Sequence, residues 1–134
     1  MIFLGPKALI RGFTICAKQV VVQEAFEIIE KKTNENPVKV FVQALEHAAP
    51  REEIVTIEYG GARYPKAVDC APQRRIDIAL KFFSQGSYEK CFNKKKSLPQ
   101  ALSDEILGAY KFDQSKSFAI QKKLELERQA DGSR

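Results

Sequence analysis

Apolar residues in this chain recur at helical spacing everywhere except between Ile54 and Val68. There, Ile54-Val-Thr-Ile-Glu-Tyr59 is β-branched and aromatic with period two, Gly60-Gly61 is a two-residue turn signal, and Ala62-Arg-Tyr-Pro-Lys-Ala-Val68 reads as a return strand. The segment is a β-hairpin in which Pro65 is tolerable only where no ladder bond is needed. No other strand is visible. A lone two-stranded ribbon is marginal in water, so this one must lean on helices or on a partner.

The rest of the pattern is helical. Val20, Val21, Ala25, Ile28 and Ile29 predict a helix over 16–33, stopping at Thr33-Asn34-Glu35. Asn36 as N-cap and Pro37 at the first helical position open a second helix, 37–48, with Val38, Phe41, Val42 and Leu45 as its apolar stripe. After the hairpin, Pro72 starts a helix over 72–85 whose apolar side is Ile76, Ala79, Leu80 and Phe83. Gly86-Ser87 weakens or ends it, with Tyr88 to Phe92 as an irregular helical continuation. Ser97 is a candidate N-cap for a helix over 98–110 with Leu98, Leu102, Ile106 and Ala109 on one face. A last, strongly charged helix over 115–130 carries a weaker stripe of Phe118, Ile120 and Leu124. The expected fold is mainly α: a bundle of about five helices with a protruding two-stranded ribbon arm. At 134 residues it is a single domain, 1–134.

Composition then narrows the chemistry. One His leaves little room for His-based catalysis or a His-rich metal site. His47 follows Glu46 on a helix flank, and adjacent helical residues do not face each other, so no acid–base pair forms there. Glu52-Glu53 and Asp104-Glu105 sit where carboxylates suit the beginnings of elements. Cys16, Cys70 and Cys91 are odd in number, widely spaced and without a CxxC, which points to small hydrophobes in a reducing compartment rather than zinc or disulfides. No phosphate-binding glycine loop is present. The uncharged stretch Gly12–Ala17 is too short to span a membrane, and Met1-Ile-Phe-Leu stops at Gly5-Pro6 without forming a signal peptide. The expectation is a cytoplasmic non-enzyme with no cofactor and no metal.

The net charge of +5 is uneven: +2 over residues 1–33, −2 over 34–71 and +5 over 72–134. Such asymmetry marks a surface patch for an anionic partner, with a solvated face as the alternative. Arg74-Arg75 lie in the first turn of a helix, where cations oppose the macrodipole; phosphate oxygens suit both the helix terminus and bidentate arginine. Lys94-Lys95-Lys96 form a basic loop with no acidic neighbour closer than Glu89. Lys122-Lys123 have Glu125 and Glu127 nearby, so a self-neutralised face competes with a binding role. Arg63 and Lys66 on the ribbon, with Tyr59 and Tyr64 flanking its turn, suit a groove or an unpaired base, although tyrosines are also good strand formers. Separated basic islands fit an extended, folded nucleic acid better than one compact cleft.

From Glu24 onward the sequence resembles a known family. The motifs are Glu24-Ala-Phe-Glu-Ile-Ile-Glu-Lys-Lys-Thr33, Asn36-Pro-Val-Lys-Val-Phe-Val-Gln-Ala-Leu45, Ala49-Pro-Arg-Glu-Glu53 and Tyr59-Gly-Gly-Ala62. They continue with Val68-Asp-Cys-Ala-Pro-Gln-Arg-Arg75, Ala101-Leu-Ser-Asp-Glu-Ile106 and Ser117-Phe-Ala-Ile-Gln-Lys-Lys-Leu-Glu-Leu-Glu-Arg128. Together they are similar to the small-subunit ribosomal protein seven family in its archaeal and eukaryotic-like form. The resemblance implies a primary rRNA binder that starts assembly of the subunit head, near exit-site tRNA, the mRNA exit path and neighbouring small-subunit proteins, with no membrane partner. It implies rRNA contacts at Arg63, Lys66, Arg74, Arg75, Lys94, Lys95, Lys96 and Lys116. Lys122, Lys123 and Arg128, with Tyr59 and Tyr64, would face the tRNA exit side. Residues 1–15 match poorly, which leaves Lys7, Arg11 and Lys18 as the basic residues of the N-terminal segment.

A rival reading is a DNA regulator, with helices 16–33 and 37–48 as a helix-turn-helix and the ribbon as a wing. The would-be reading helix begins Pro37-Val-Lys-Val-Phe-Val, which suits a core better than base edges.

Overall fold

The structure, a computed structural model, describes the backbone of residues 6–134 and the side chains of residues 19–134. Lys7, Arg11, Cys16 and Lys18, as side chains, lie outside the described residues. In chain order the elements are α1 (Pro6–Thr33), α2 (Pro37–Ala48), β1 (Glu52–Tyr59), β2 (Ala62–Asp69), α3 (Pro72–Cys91), α4 (Leu98–Tyr110) and α5 (Phe118–Gly132). Five helices and a two-stranded ribbon are the expected architecture. No described helix is long and apolar enough to cross a membrane.

Local chemistry explains most boundaries. Asn34 adopts φ 54° just past α1, the left-handed position that Asn fills at a helix end. Asn36 then caps α2, its side chain accepting from the Val38 N–H at 3.0 Å, with Pro37 in the first turn. In the ribbon, Tyr59 pairs with Ala62 around Gly60 (φ 56°) and Gly61 (φ 83°), the two positive φ angles of a type I′ turn. Pro65 faces Thr56, an even number of pairs from the non-hydrogen-bonded Glu58–Arg63 pair, so its missing N–H points away from the ladder.

Several element boundaries differ from expectation. Helix α1 begins at Pro6, ten residues before the expected start, because Gly12 and Thr14 only weaken a helix while Pro6 is favourable in its first turn. Helix α3 runs unbroken to Cys91 rather than ending at residue 85. Gly86 is there for space: a Cβ would lie 2.9 Å from both Glu105 Cδ and Phe118 Cβ. The strands extend to Glu52 and Asp69, which pair with each other. Helix α5 starts at Phe118 instead of 115, where Ser117 Oγ accepts from the Ile120 N–H at 3.4 Å. At the head of α4, Ser97 holds the N-cap position without a side-chain cap bond.

Helix α4 is central and packs against all four other helices, while the ribbon packs mainly on α5 and reaches α3 through Glu53 and Arg74. The core joins Ile29, Val40, Phe83, Ile106 and Ile120 with a set of fully buried alanines, among them Ala44, Ala48, Ala79, Ala109 and Ala119. Each large aliphatic contributes about 1.5–3 kcal/mol by burial, and the alanines permit close helix approach. Phe26, Phe41 and Phe83 link α1, α2 and α3 through centroid separations of 5.6 and 6.4 Å. The buried face of α2 is Val40, Ala44 and Ala48; Val38 and Val42, expected in the stripe, are exposed. Likewise Ile76 and Leu80 of α3 face solvent while Ile78, Ala79 and Phe83 turn inward.

One carboxylate fixes α5. Glu105 of α4 is fully buried; its Oε1 accepts from Ser117 Oγ and the Ala119 N–H, both at 2.9 Å. Its Oε2 has no well-directed hydrogen bond and faces the Lys90 ammonium of α3 at 2.5 Å. Lys90 also donates to the Lys116 carbonyl. A buried negative charge at the N-terminus of α5 is favourable with the helix dipole.

Candidate nucleic-acid interface

The candidate cations divide by what they already hold. On the ribbon, Glu53, Val55, Ile57, Tyr59, Ala62, Tyr64, Lys66 and Val68 share one face, because paired residues of a strand ladder lie on the same side. Val55, Ile57, Tyr59, Tyr64 and Val68 are all exposed there, Tyr59 the most at 81%. Lys66 joins them with no ion pair among the described residues. Arg63 lies on the opposite face, where its Nε donates to Glu58 at 2.7 Å. The structure thus brings Lys66 and the two tyrosines together and separates Arg63 from them.

Arg74 and Arg75 have different surroundings. Arg74 is exposed and pairs loosely with Glu53 at 3.4 Å. Arg75 is half-buried, its Nε donating to the Pro50 carbonyl at 3.1 Å, which ties α3 to the corner before β1. Of the basic loop, Lys94 and Lys95 are exposed and without an ion pair among the described residues, whereas Lys96 pairs with Asp104. Asp104 also receives Lys32 at 2.8 Å, joining α1 to the loop. Burial alone would raise the Asp104 pKa, yet the hydrogen bonds from Lys32 and Lys96 hold the carboxyl below its usual range.

Lys116 is exposed, 3.6 Å from Asp113. With Lys90, Lys96, Lys111, Asp104 and Asp113 it borders a hollow of about 380 Å³ between the end of α3, α4 and the 111–117 loop. Neither Lys90 nor Lys111 stands out in the sequence, because each is alone among neutral or acidic neighbours. On α5, Lys122 pairs with Glu125 at 2.8 Å and lies over the Phe118 ring, the self-neutralised alternative. Lys123 turns inward and donates to the His47 carbonyl at 2.8 Å, above the Phe112 ring. Desolvation lowers its pKa, with Arg51 and Arg75 adding to the effect and Glu127 opposing it. Arg128 is exposed and has no ion pair among the described residues.

One aromatic pair lies outside the sequence expectations. Tyr88 on the last turn of α3 and Phe92 at its C-cap, four residues apart, bring their rings to 5.4 Å at 34° and remain 59% and 60% exposed. The helical continuation expected over Tyr88 to Phe92 is regular enough to bring the two rings together.

Nothing in this arrangement assembles a reaction site. His47 sets Nδ1 3.2 Å from the Ala109 carbonyl and packs edge-on against Phe112, both structural roles. Among the described residues, no three His, Cys, Asp or Glu side chains are placed to hold a metal ion. Cys70 and Cys91 are unpaired and partly buried, and burial raises the Cys70 thiol pKa, with nearby Glu53 adding to it.

Comparison with known proteins places the chain in a family. The family profile described as ribosomal protein S7p/S5e matches residues 11–134. Among curated relatives, the small ribosomal subunit protein uS7 of Nanoarchaeum equitans is 54% identical over 114 residues, covering 85% of this chain and 57% of its own length. The proteins of the same name from Methanococcus aeolicus and Archaeoglobus fulgidus are 52% and 50% identical over 114 residues, with 61% and 58% of their lengths covered. The chain therefore spans about three-fifths of the length of these relatives. A match over most of the chain, at about half identity, establishes that it belongs to the ribosomal protein S7p/S5e family.

Proposed function

We propose that this chain, residues 1–134, is a single rRNA-binding domain and a structural constituent of the small ribosomal subunit, not a catalyst. The observation that carries the reading is the family match across residues 11–134, with relatives named as small-subunit proteins. The finer reading is that it binds head-domain rRNA early, nucleates assembly there, and lies beside exit-site tRNA, the mRNA path and neighbouring proteins. Exposed Arg74, Lys94, Lys95 and Lys116 support phosphate contact, since they project from separate elements and loops of one rigid bundle. The ribbon face with Tyr59, Tyr64 and Lys66 is the part suited to reach outward, because these side chains are exposed and α5 is the ribbon's main support. Lys7, Arg11 and Lys18 belong to the same proposal as N-terminal contacts, and Lys122 and Arg128 as contacts on the tRNA exit side. Arg63, Arg75, Lys96, Lys122 and Lys123 would first have to leave, or share, the partners they hold.

The geometry gives the DNA-regulator reading little support, since α2 buries Val40, Ala44 and Ala48 in the core and carries Lys39 as its single lysine or arginine. Filter binding to head-domain rRNA fragments and to duplex DNA tests the choice. If about six phosphates are contacted, log affinity for rRNA falls with log salt at a slope of about −4 to −5. Equal affinity for rRNA and DNA would overturn the ribosomal reading. Arg74→Ala with Lys94→Ala and Lys95→Ala should lower both affinity and slope while leaving the helical CD spectrum unchanged.

A further inference from the structure

The Tyr88–Phe92 pair differs from the phenylalanine contacts between the helices. Phe26, Phe41 and Phe83 stack between helices and contribute to the core. Tyr88 and Phe92 leave about three-fifths of their surface in water, although aromatic burial is among the most favourable contributions a side chain makes. Their rings are 34° from parallel, a tilted contact rather than an edge-to-face one, and each keeps surface open to solvent.

The chain next to them is basic. Asn93, at φ 58°, turns the backbone out of α3, and the Lys94 N–H closes on the Cys91 carbonyl at 3.2 Å. Lys94 and Lys95 follow directly, exposed and without an ion pair among the described residues, while Lys96 is held by Asp104. An open aromatic surface beside two free ammonium groups matches one chemistry closely. A nucleotide pairs a flat π face with a nearby phosphate, and base–aromatic stacking tolerates any base. A duplex hides its base faces, so the complementary ligand is unpaired.

We propose that Tyr88 and Phe92 form a stacking platform for an unpaired base of single-stranded RNA, with Lys94 and Lys95 receiving the adjoining phosphates. This rests on the reading of the chain as an RNA binder, and names one place where it holds a nucleotide out of a helix. Lysines supply the salt-dependent part of the affinity; the rings supply a part that salt does not remove.

The test measures anisotropy of a labelled oligouridylate titrated with the full chain, alongside an abasic oligonucleotide of the same length. Tyr88→Ala and Phe92→Ala should each weaken oligouridylate binding by about five- to a hundredfold, leave the salt slope unchanged and not affect the abasic probe. Tyr88→Phe should bind as wild type. Lys94→Ala with Lys95→Ala should weaken both probes and make the slope shallower by about 0.7 for each phosphate no longer engaged. Tyr88→Trp should add an indole emission that oligouridylate quenches and the abasic probe does not. The platform is refuted if wild type binds oligouridylate while Tyr88→Ala and Phe92→Ala, folded by CD, stay within twofold of it. It is equally refuted if they weaken both probes alike. Failure of wild type to bind either oligouridylate or rRNA would overturn the RNA-binding reading together with the platform.

Discussion

Removing the Glu105 carboxylate should loosen α5 from the bundle more than any other single polar change. The side chain has no exposed surface and holds three groups: Ser117 Oγ and the Ala119 N–H at the head of α5, and the Lys90 ammonium of α3. Glu105→Ala leaves two buried donors without an acceptor, at about 1–3 kcal/mol each. It also strands Lys90, but that side chain is 28% exposed and keeps the Lys116 carbonyl, so its share is smaller. The sum, about 3–5 kcal/mol, agrees with the usual cost of breaking a buried pair from one side. Glu105→Gln keeps the Oε1 acceptor for both donors and loses only the attraction to Lys90, so about 1–2 kcal/mol is expected. Against a typical domain stability of about 5–15 kcal/mol, the alanine variant would be severely weakened. Urea unfolding followed by CD reads the difference: with m near about 2 kcal/mol/M, the alanine midpoint falls by about 2 M at constant m. Wild-type-like stability of Glu105→Ala, within about 1 kcal/mol, would refute the clamp. Equal losses in the Gln and Ala variants would refute the assignment of most of the energy to the two Oε1 bonds.

Gly86→Ala should destabilise by about 1–3 kcal/mol in the same assay, because the new Cβ meets Glu105 Cδ and Phe118 Cβ at 2.9 Å; the helix propensity gain of about 1 kcal/mol does not cover it. A rise in stability would show that α4 and α5 can move aside. Because the Asp104 pKa is depressed in the folded chain, its contribution is present above the unfolded value near about 4 and is lost as pH falls through the folded value. The stability gap between wild type and Asp104→Asn should therefore narrow below about pH 4, and a gap constant with pH would contradict the link to Lys32 and Lys96. The neighbouring arginines should separate by readout: Arg75→Ala lowers the urea midpoint through loss of the Pro50 carbonyl bond, while Arg74→Ala leaves it in place and weakens rRNA binding. Interchanged effects would overturn the division.

What sequence could reveal here was whatever depends on near neighbours. The hairpin register follows from Gly60-Gly61, the start of α2 from Asn36-Pro37, and helix α4 from its own spacing, because each is decided by residues within one turn of the place. Apolar spacing reports which side of a helix is greasy, but the partner's position decides how far that side is covered. Val38, Val42, Ile76 and Leu80 belong to real stripes whose outer edges no described element covers. Gly86 has the composition of a helix end and the role of a close-approach site, and only the location of Glu105 and Phe118 distinguishes the two. The same limit governs the candidate interface. Charge is written in the sequence, yet the carboxylate that claims a cation can be remote: Glu53 stands 21 residues from Arg74, and Asp104 stands 72 from Lys32. Lys94 and Lys96 are equivalent by composition, and the fold makes them opposites by delivering Asp104 to one of them. A cation already paired inside the bundle costs an incoming phosphate the energy of breaking that pair, whereas a free one costs it nothing beyond desolvation. The contacts that should dominate affinity are therefore those that no described carboxylate reaches, and among the loop lysines these are Lys94 and Lys95, beside the exposed rings.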